Sequence, residues 1–118
     1  MAYVDGFVVP VPKKNVEAYC EFSRKMGAIW REYGALSYIE AVGDDVPEGK
    51  VTSFPLSVKV EPEELVVFAW ITYESRAHRD AVNAKVMADP RMKMPEESKT
   101  IFDAKRMIYG GFEVRVEV

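Results

Sequence analysis

The segment His78 to Lys85, HRDAVNAK, carries the residue types of a phosphoryl-transfer loop: His-Arg-Asp followed by Asn. That chemistry needs the Asn five residues after the Asp, a glycine-rich loop over the phosphates and a metal-binding Asp-Phe-Gly. Here Asn83 follows Asp80 by three, neither companion motif is present, and 118 residues are too few. The spacing instead predicts a helix. Asp and Asn disfavour a helix interior because they bond to nearby backbone in other conformations. Asp80 and Asn83 are therefore candidates for lining a cleft. Two carboxylates stand out for another reason. Asp5 and Glu40 each interrupt an otherwise apolar, strand-like run. Carboxylates in different environments divide acid and base roles, so these two are the candidate catalytic groups if both point into one cavity between sheets. Arg91, just after Asp89-Pro90, has the planar fork that binds carboxylate or phosphate. Arg106 and Tyr109 complete the candidate ligand-binding set of Asp80, Asn83, Arg91, Arg106 and Tyr109.

Metal chemistry finds little support. Asp44, Asp45 and Glu48 in GDDVPEGK lack the alternating acids and closing Glu of a calcium loop, and turn chemistry accounts for them. His78 is the single histidine and makes no metal or haem site alone. Cys20, on the apolar side of the first helix, reads as an inert core thiol. No cofactor and no metal are expected.

The elements that must position these groups follow from periodicity. Tyr3 to Val9 is a strand stopped by Pro10 and Pro12. Lys13 to about Tyr33 is an amphipathic helix, with Gly34 at the left-handed closing position. Ala35 to Val42 is a second strand and Gly43 to Lys50 a turn. Val51 to Val60, interrupted by Pro55, reads as an edge strand or extended arm. Leu65 to Tyr73, apolar on both faces, is the central strand. Ser75 caps a helix from Arg76 to about Ala88, closed by Asp89-Pro90. Its stripe of Ala77, Ala81, Ala84 and Ala88 predicts a close-packed seam against the sheet. Pro95-Glu96-Glu97 opens a short further helix. In the last strand Phe112, Val114, Val116 and Val118 alternate with charges after a bulge at Gly110-Gly111. The order gives an α+β, ferredoxin-like split β-α-β plan: one antiparallel four-stranded sheet with helices on one face, plus the extra arm.

Composition narrows the function classes. The chain is 48% hydrophobic and 30% charged, with net charge −3, which suits one soluble domain. No basic run offers phosphate-backbone affinity, so nucleic-acid binding is disfavoured. One cysteine excludes an internal disulfide and fits a reducing compartment. MAYVDGFVVPVPKK lacks a basic region ahead of its apolar run, so it does not read as a signal peptide. No apolar run approaches the ~20 residues that span a bilayer. A cytoplasmic location without membrane contact is expected. The central strand also implies a partner. If Leu65, Val67, Ala69 and Ile71 meet the helices, Val66, Phe68 and Trp70 face away with nothing to cover them. Such a patch marks an interface, and a second copy about a two-fold axis covers it most simply.

Segments along nearly the whole chain resemble one family. YVDGFVVPVP (Tyr3 to Pro12), GAL (Gly34 to Leu36), GDDVPEGKVTSFP (Gly43 to Pro55), VVFAWITY (Val66 to Tyr73), RDAVNAKVMADPRMK (Arg79 to Lys93) and FDAKRMIYGGFE (Phe102 to Glu113) are similar to the YbaA-like family of small bacterial proteins, a domain of unknown function. The resemblance implies a dimeric α/β barrel and brings no reaction with it. The chain departs from the family pattern Pro-Phe-Asp-Gly-Lys-Arg-Met, with Ile101 and Ala104 in place of the Pro and Gly. Any turn needing that Gly must be built differently.

Three function classes follow. The first is a homodimer that binds or acts on a small organic molecule, with Tyr38, Trp70, Tyr73, Tyr109 and Phe112 available to a planar ligand. The second is an interaction or structural protein reaching a partner with Val51 to Val60. The third is an RNA-associated protein, against which the charge balance stands.

Overall fold

Tyr3–Pro12 forms strand β1, which runs through its prolines. It pairs antiparallel with β3 (Glu64–Tyr73) from Tyr3 opposite Tyr73 to Pro12 opposite Glu64. On its other side it pairs with β4 (Ile108–Glu113) only as far as Val8. Beyond Val8 that side of β1 is an edge, where a proline breaks no ladder bond. This corrects the expected stop at Pro10. β2 (Ser37–Val42) pairs with the far side of β3. The sheet order is β2-β3-β1-β4 and every pair is antiparallel. The computed structural model describes residues 2–93 and 100–118. The short helix expected at Pro95-Glu96-Glu97 lies outside the described residues.

Helix α1 (Val16–Glu32) follows a 3-10 turn at Lys13–Asn15. Gly34, with φ 112°, ends it in the left-handed region that glycine adopts without a steric penalty. Gly27 has a different purpose. Mid-helix glycine costs about 1 kcal/mol relative to Ala, but a Cβ here would lie 2.4 Å from the Tyr38 ring. The missing side chain lets α1 lie directly on β2. Helix α2 (Phe54–Ser57) is a single turn, started by Ser53 Oγ accepting from the Leu56 N–H at 3.1 Å. It replaces the extended arm expected over Val51 to Val60. The segment folds back on the sheet because Val58, 1% exposed, packs with Val8 and Val66. Helix α3 (Arg76–Ala88) is capped by Ser75 as expected. Its buried residues are Val82 and Val86, whereas Ala77, Ala81, Ala84 and Ala88 are exposed. The expected alanine seam is therefore corrected: the two valines supply the apolar area, and the alanines face away. Among the described residues, no helix is long and apolar enough to cross a membrane.

The C-terminal strand also lies earlier than its alternation suggests. β4 ends at Glu113 because β1 begins at Tyr3 and offers no partner beyond it. Val114 N–H still donates to Ala2 O at 3.0 Å, but Val116 and Val118 are exposed. Gly110 and Gly111 keep regular register opposite Gly6 and Asp5, so the expected bulge is absent.

The sheet has one covered face and one open face. Val67, Ala69, Ile71 and Tyr73 are buried toward the helices. On the opposite face Phe68 is 43% and Phe112 61% exposed, with Ile39 and Ile108 also uncovered. Phe54 of α2 reaches that face and meets Phe68 edge-on at 5.8 Å.

Candidate functional site

Helix-facing side chains of the sheet fall into cross-strand rows. Tyr38, Ile71, Asp5 and Gly111 form one, and Glu40, Ala69, Phe7 and Tyr109 the next. Ala69 and Gly111 are small, so the floor stays low where they sit. α1 crosses above it with Tyr19, Phe22, Ser23, Met26 and Trp30, which recur each turn on one side of the helix. α3 closes the other side with Arg79, Asn83 and Met87. Between floor and helices lies a cavity of about 490 Å³, lined largely by apolar and aromatic side chains. Methionines contribute at four places: Met26, Met87, Met92 and Met107.

Glu40 is the acidic group of one end. Tyr19 Oη lies 2.9 Å from both of its carboxylate oxygens, and Ser23 Oγ donates to Oε1 at 2.9 Å. Ser23 has one hydrogen and spends it on Glu40, so Tyr38 Oη, 3.0 Å from Ser23 Oγ, is the donor in that contact. The hydroxyl chain therefore runs from Tyr38 through Ser23 to Glu40. Burial raises the Glu40 pKa, with the bonds from Tyr19 and Ser23 opposing. Burial also pushes Tyr38 up to about 12 and, reinforced by the Glu40 charge, raises Tyr19 further. Both phenols keep their protons at neutral pH and remain donors.

Asp5 sits elsewhere on the floor, 8% exposed. Arg79 Nε donates to its Oδ1 at 3.2 Å, Nη1 to Asp80 at 2.8 Å, and the guanidinium lies over the Tyr3 ring at 5.0 Å. Gly111 makes room, since a Cβ there would lie 2.2 Å from Arg79 Nη2. Asp5 and Glu40 are two strands and one row apart in the register, roughly 10 Å or more between backbones at the usual strand spacing. They share a cavity but not a proton. The cavity is also not the one expected for them. Both residues face the helices rather than a second sheet, because strand alternation puts them on the side of Val67 and Ala69.

Asn83 lies between the aromatic wall and the floor. Its Oδ1 accepts from Trp30 Nε1 at 3.1 Å and from Tyr73 Oη at 3.3 Å. Tyr109 stacks on Phe7 at 6.3 Å and is mostly exposed, forming part of the rim. Thus Asp5, Glu40, Asn83 and Tyr109 come together as candidates.

Three others do not. Asp80 projects outward and pairs with Arg79 and Arg76. Arg91 is engaged by Asp89 and by Glu32, so no fork is left for an anion. Arg106 grips Glu64 through two bonds and points away from the cavity. His78 is structural: its Nδ1 accepts from the Glu74 N–H at 3.0 Å. Cys20 is half-buried rather than fully in the core. Spacing alone missed Arg79, Tyr19 and Ser23. A Ser and a Tyr four residues apart on the apolar side of α1 were the available signal.

A protein family described as being of unknown function, DUF1428, matches residues 2–104. The protein called uncharacterized protein YbaA in Escherichia coli K12 is 55% identical over 113 residues, covering 96% of each chain. A Shigella flexneri relative of the same name gives the same values. Among solved structures, a dimeric ferredoxin-like protein from an uncultured marine organism superposes with TM-score 0.61 at 14% identity, covering all of both chains. At that identity the likeness speaks to the fold alone.

Proposed function

The chain belongs to the DUF1428 family, the YbaA-like proteins, and from that premise, which carries a fold and no reaction, we propose that it binds a small planar organic molecule between its sheet and its two long helices. The observation that supports this is the cavity of about 490 Å³. It falls within the usual range of roughly 300–1,000 Å³ for ligand sites, and it combines an apolar lining with a few convergent polar groups. Glu40 is the group best suited to take up or release a proton, since it lines the cavity and burial raises its pKa above the ordinary carboxylate value. Asp5 is held by Arg79 and serves to orient that end. Tyr109 at the rim and Asn83 beneath the helices make the remaining contacts.

The test fills the space from its floor. Ala69 is buried at the centre of the second row, and Ala69→Leu adds volume there. Calorimetric titration with naphthalene-sized aromatic probes is expected to give binding to the wild-type protein and at least about a tenfold weaker constant in the variant. Equal binding by the two proteins would place the probes elsewhere and remove the proposal.

The open sheet face supports a second reading, compatible with the first. Phe68, Phe112, Ile39 and Ile108 form an apolar patch on one face of the sheet, and patches of that kind mark interfaces. We infer a homodimer joined face to face through this patch; the solved structure of like fold is described as dimeric. Two sheets so joined give the dimeric α/β barrel. Sedimentation equilibrium is expected to return twice the 13.4 kDa chain mass, and Phe68→Glu to return one. A monomeric wild type would rule out this assembly.

A further inference from the structure

The carboxamide of Asn83 says what kind of ligand the cavity takes. Trp30 Nε1 and Tyr73 Oη both donate to its Oδ1. An indole nitrogen only donates, so chemistry assigns the oxygen and nitrogen ends of the amide. Nδ2 is turned away from those donors, and no described residue accepts from it. One end of a cavity-lining amide is doubly satisfied and the other, reached by solvent rather than buried, has no protein acceptor among the described residues, which leaves a donor that a ligand oxygen can take from water.

The other polar groups limit the choice. An ionised carboxylate has about four acceptor sites, and Glu40 receives only Tyr19 and Ser23. Arg79, the one cation among the described lining residues, is committed to Asp5, Asp80 and Tyr3. The cavity therefore offers a free donor, a free acceptor and no free positive charge. Such a lining disfavours carboxylates and phosphates, whose charge would be buried without a counter-ion. Trp30 and Tyr38, with ring centroids 5.8 Å apart and planes tilted by 38°, provide an aromatic wall beside the donor against which one flat ring can lie.

We propose that the ligand is a neutral planar compound with two polar ends: a carbonyl-type oxygen that accepts from Asn83 Nδ2, and a hydroxyl or N–H that donates to Glu40. This rests on the cavity being the binding site.

Four substituted benzenes separate the two claims. Ethylbenzene has neither function, acetophenone the acceptor, para-ethylphenol the donor, and para-hydroxyacetophenone both. In calorimetric titrations of the wild-type protein each function is expected to tighten binding about fivefold to tenfold. Asn83→Asp keeps an oxygen for Trp30 and Tyr73 but replaces the N–H donors. It is expected to erase the gain from the carbonyl and leave the gain from the hydroxyl, with the thermal midpoint as a check on folding. If ethylbenzene binds and the carbonyl adds nothing in the wild type, the inference is overturned while the cavity reading stands. A carbonyl gain that survives in the variant overturns it as well. Failure of all four compounds to bind removes both.

Discussion

Replacing Arg79 by Met lowers stability by about 3–5 kcal/mol, the usual cost of stranding one partner of a buried ion pair. Methionine keeps the aliphatic stem, so the loss reports the guanidinium. Asp5 is 8% exposed and receives its hydrogen bond from Arg79 Nε. Without that partner the carboxylate keeps its desolvation cost and loses the compensating charge. The stacking on Tyr3 adds about 0.5–1 kcal/mol at most. Combining Arg79→Met with Asp5→Asn is expected to recover much of the deficit, because a neutral amide is far cheaper to bury alone. Urea unfolding followed by tryptophan fluorescence measures all three proteins. A single-variant loss below about 1 kcal/mol would mean the pair behaves like an exposed one.

The second large effect lies at the opposite end of the sheet. Arg106 donates from Nη1 and Nη2 to the two oxygens of Glu64 at 2.7 and 2.6 Å, from Nη1 to Lys59 O at 2.9 Å, and from Nε to Asp103 at 2.9 Å. The Glu64 side chain is 6% exposed. One guanidinium thus joins the end of the segment after α2, the first residue of β3 and the turn before β4. Arg106→Ala is expected to cost about 3 kcal/mol by leaving Glu64 unpaired. It also changes the pH profile. The bonds from Arg106 hold the Glu64 pKa below its ordinary value, so the folded state binds its proton more weakly than the unfolded chain. That contribution is fully present above the unfolded carboxylate value of about 4.3 and is lost as pH falls below it. Wild-type stability therefore drops between about pH 5 and pH 3, and the variant's drops less over the same range. Parallel acid limbs in chemical unfolding series would show that the pair does not supply this dependence.

The same turn shows why part of the molecule was legible from residue types alone. Ala104 stands where the family pattern implied by the resemblance has Gly, so the turn there has to be built without one. Among the described residues the only non-glycine with positive φ is Lys59, so position 104 needs no glycine. Asp103 caps a 3-10 turn at Ala104–Arg106 by accepting from Lys105 N–H. Local signals of this kind, such as the Ser75 cap, Gly34 and the apolar side of α1, are properties of a few consecutive residues and read correctly. The faces of β3 were legible too, because alternation has a period of two. Several of the failures needed partners distant in sequence. The alternation past Phe112 has no strand beside it once β1 begins at Tyr3, and the alanines of α3 are outcompeted by two valines. The candidate site divided in the same way. Asp5 and Glu40 announce themselves as charges in apolar strands. Arg79, Tyr19 and Ser23 join them only through the register of three strands and the seating of α1.

The four methionines around the cavity have a consequence for selectivity. A thioether chain is unbranched and polarizable and refits itself to whatever lies against it. Met26, Met87, Met92 and Met107 come from both helices and from the segments that follow α3 and precede β4, so much of the wall is compliant. Glu40 and Asn83 are the opposite, each tethered by two neighbours. A cavity with pliant sides and fixed polar points discriminates poorly by outline and well by hydrogen-bond pattern. Molecules of different girth that share that pattern would be accepted together, as a class of compounds rather than a single one.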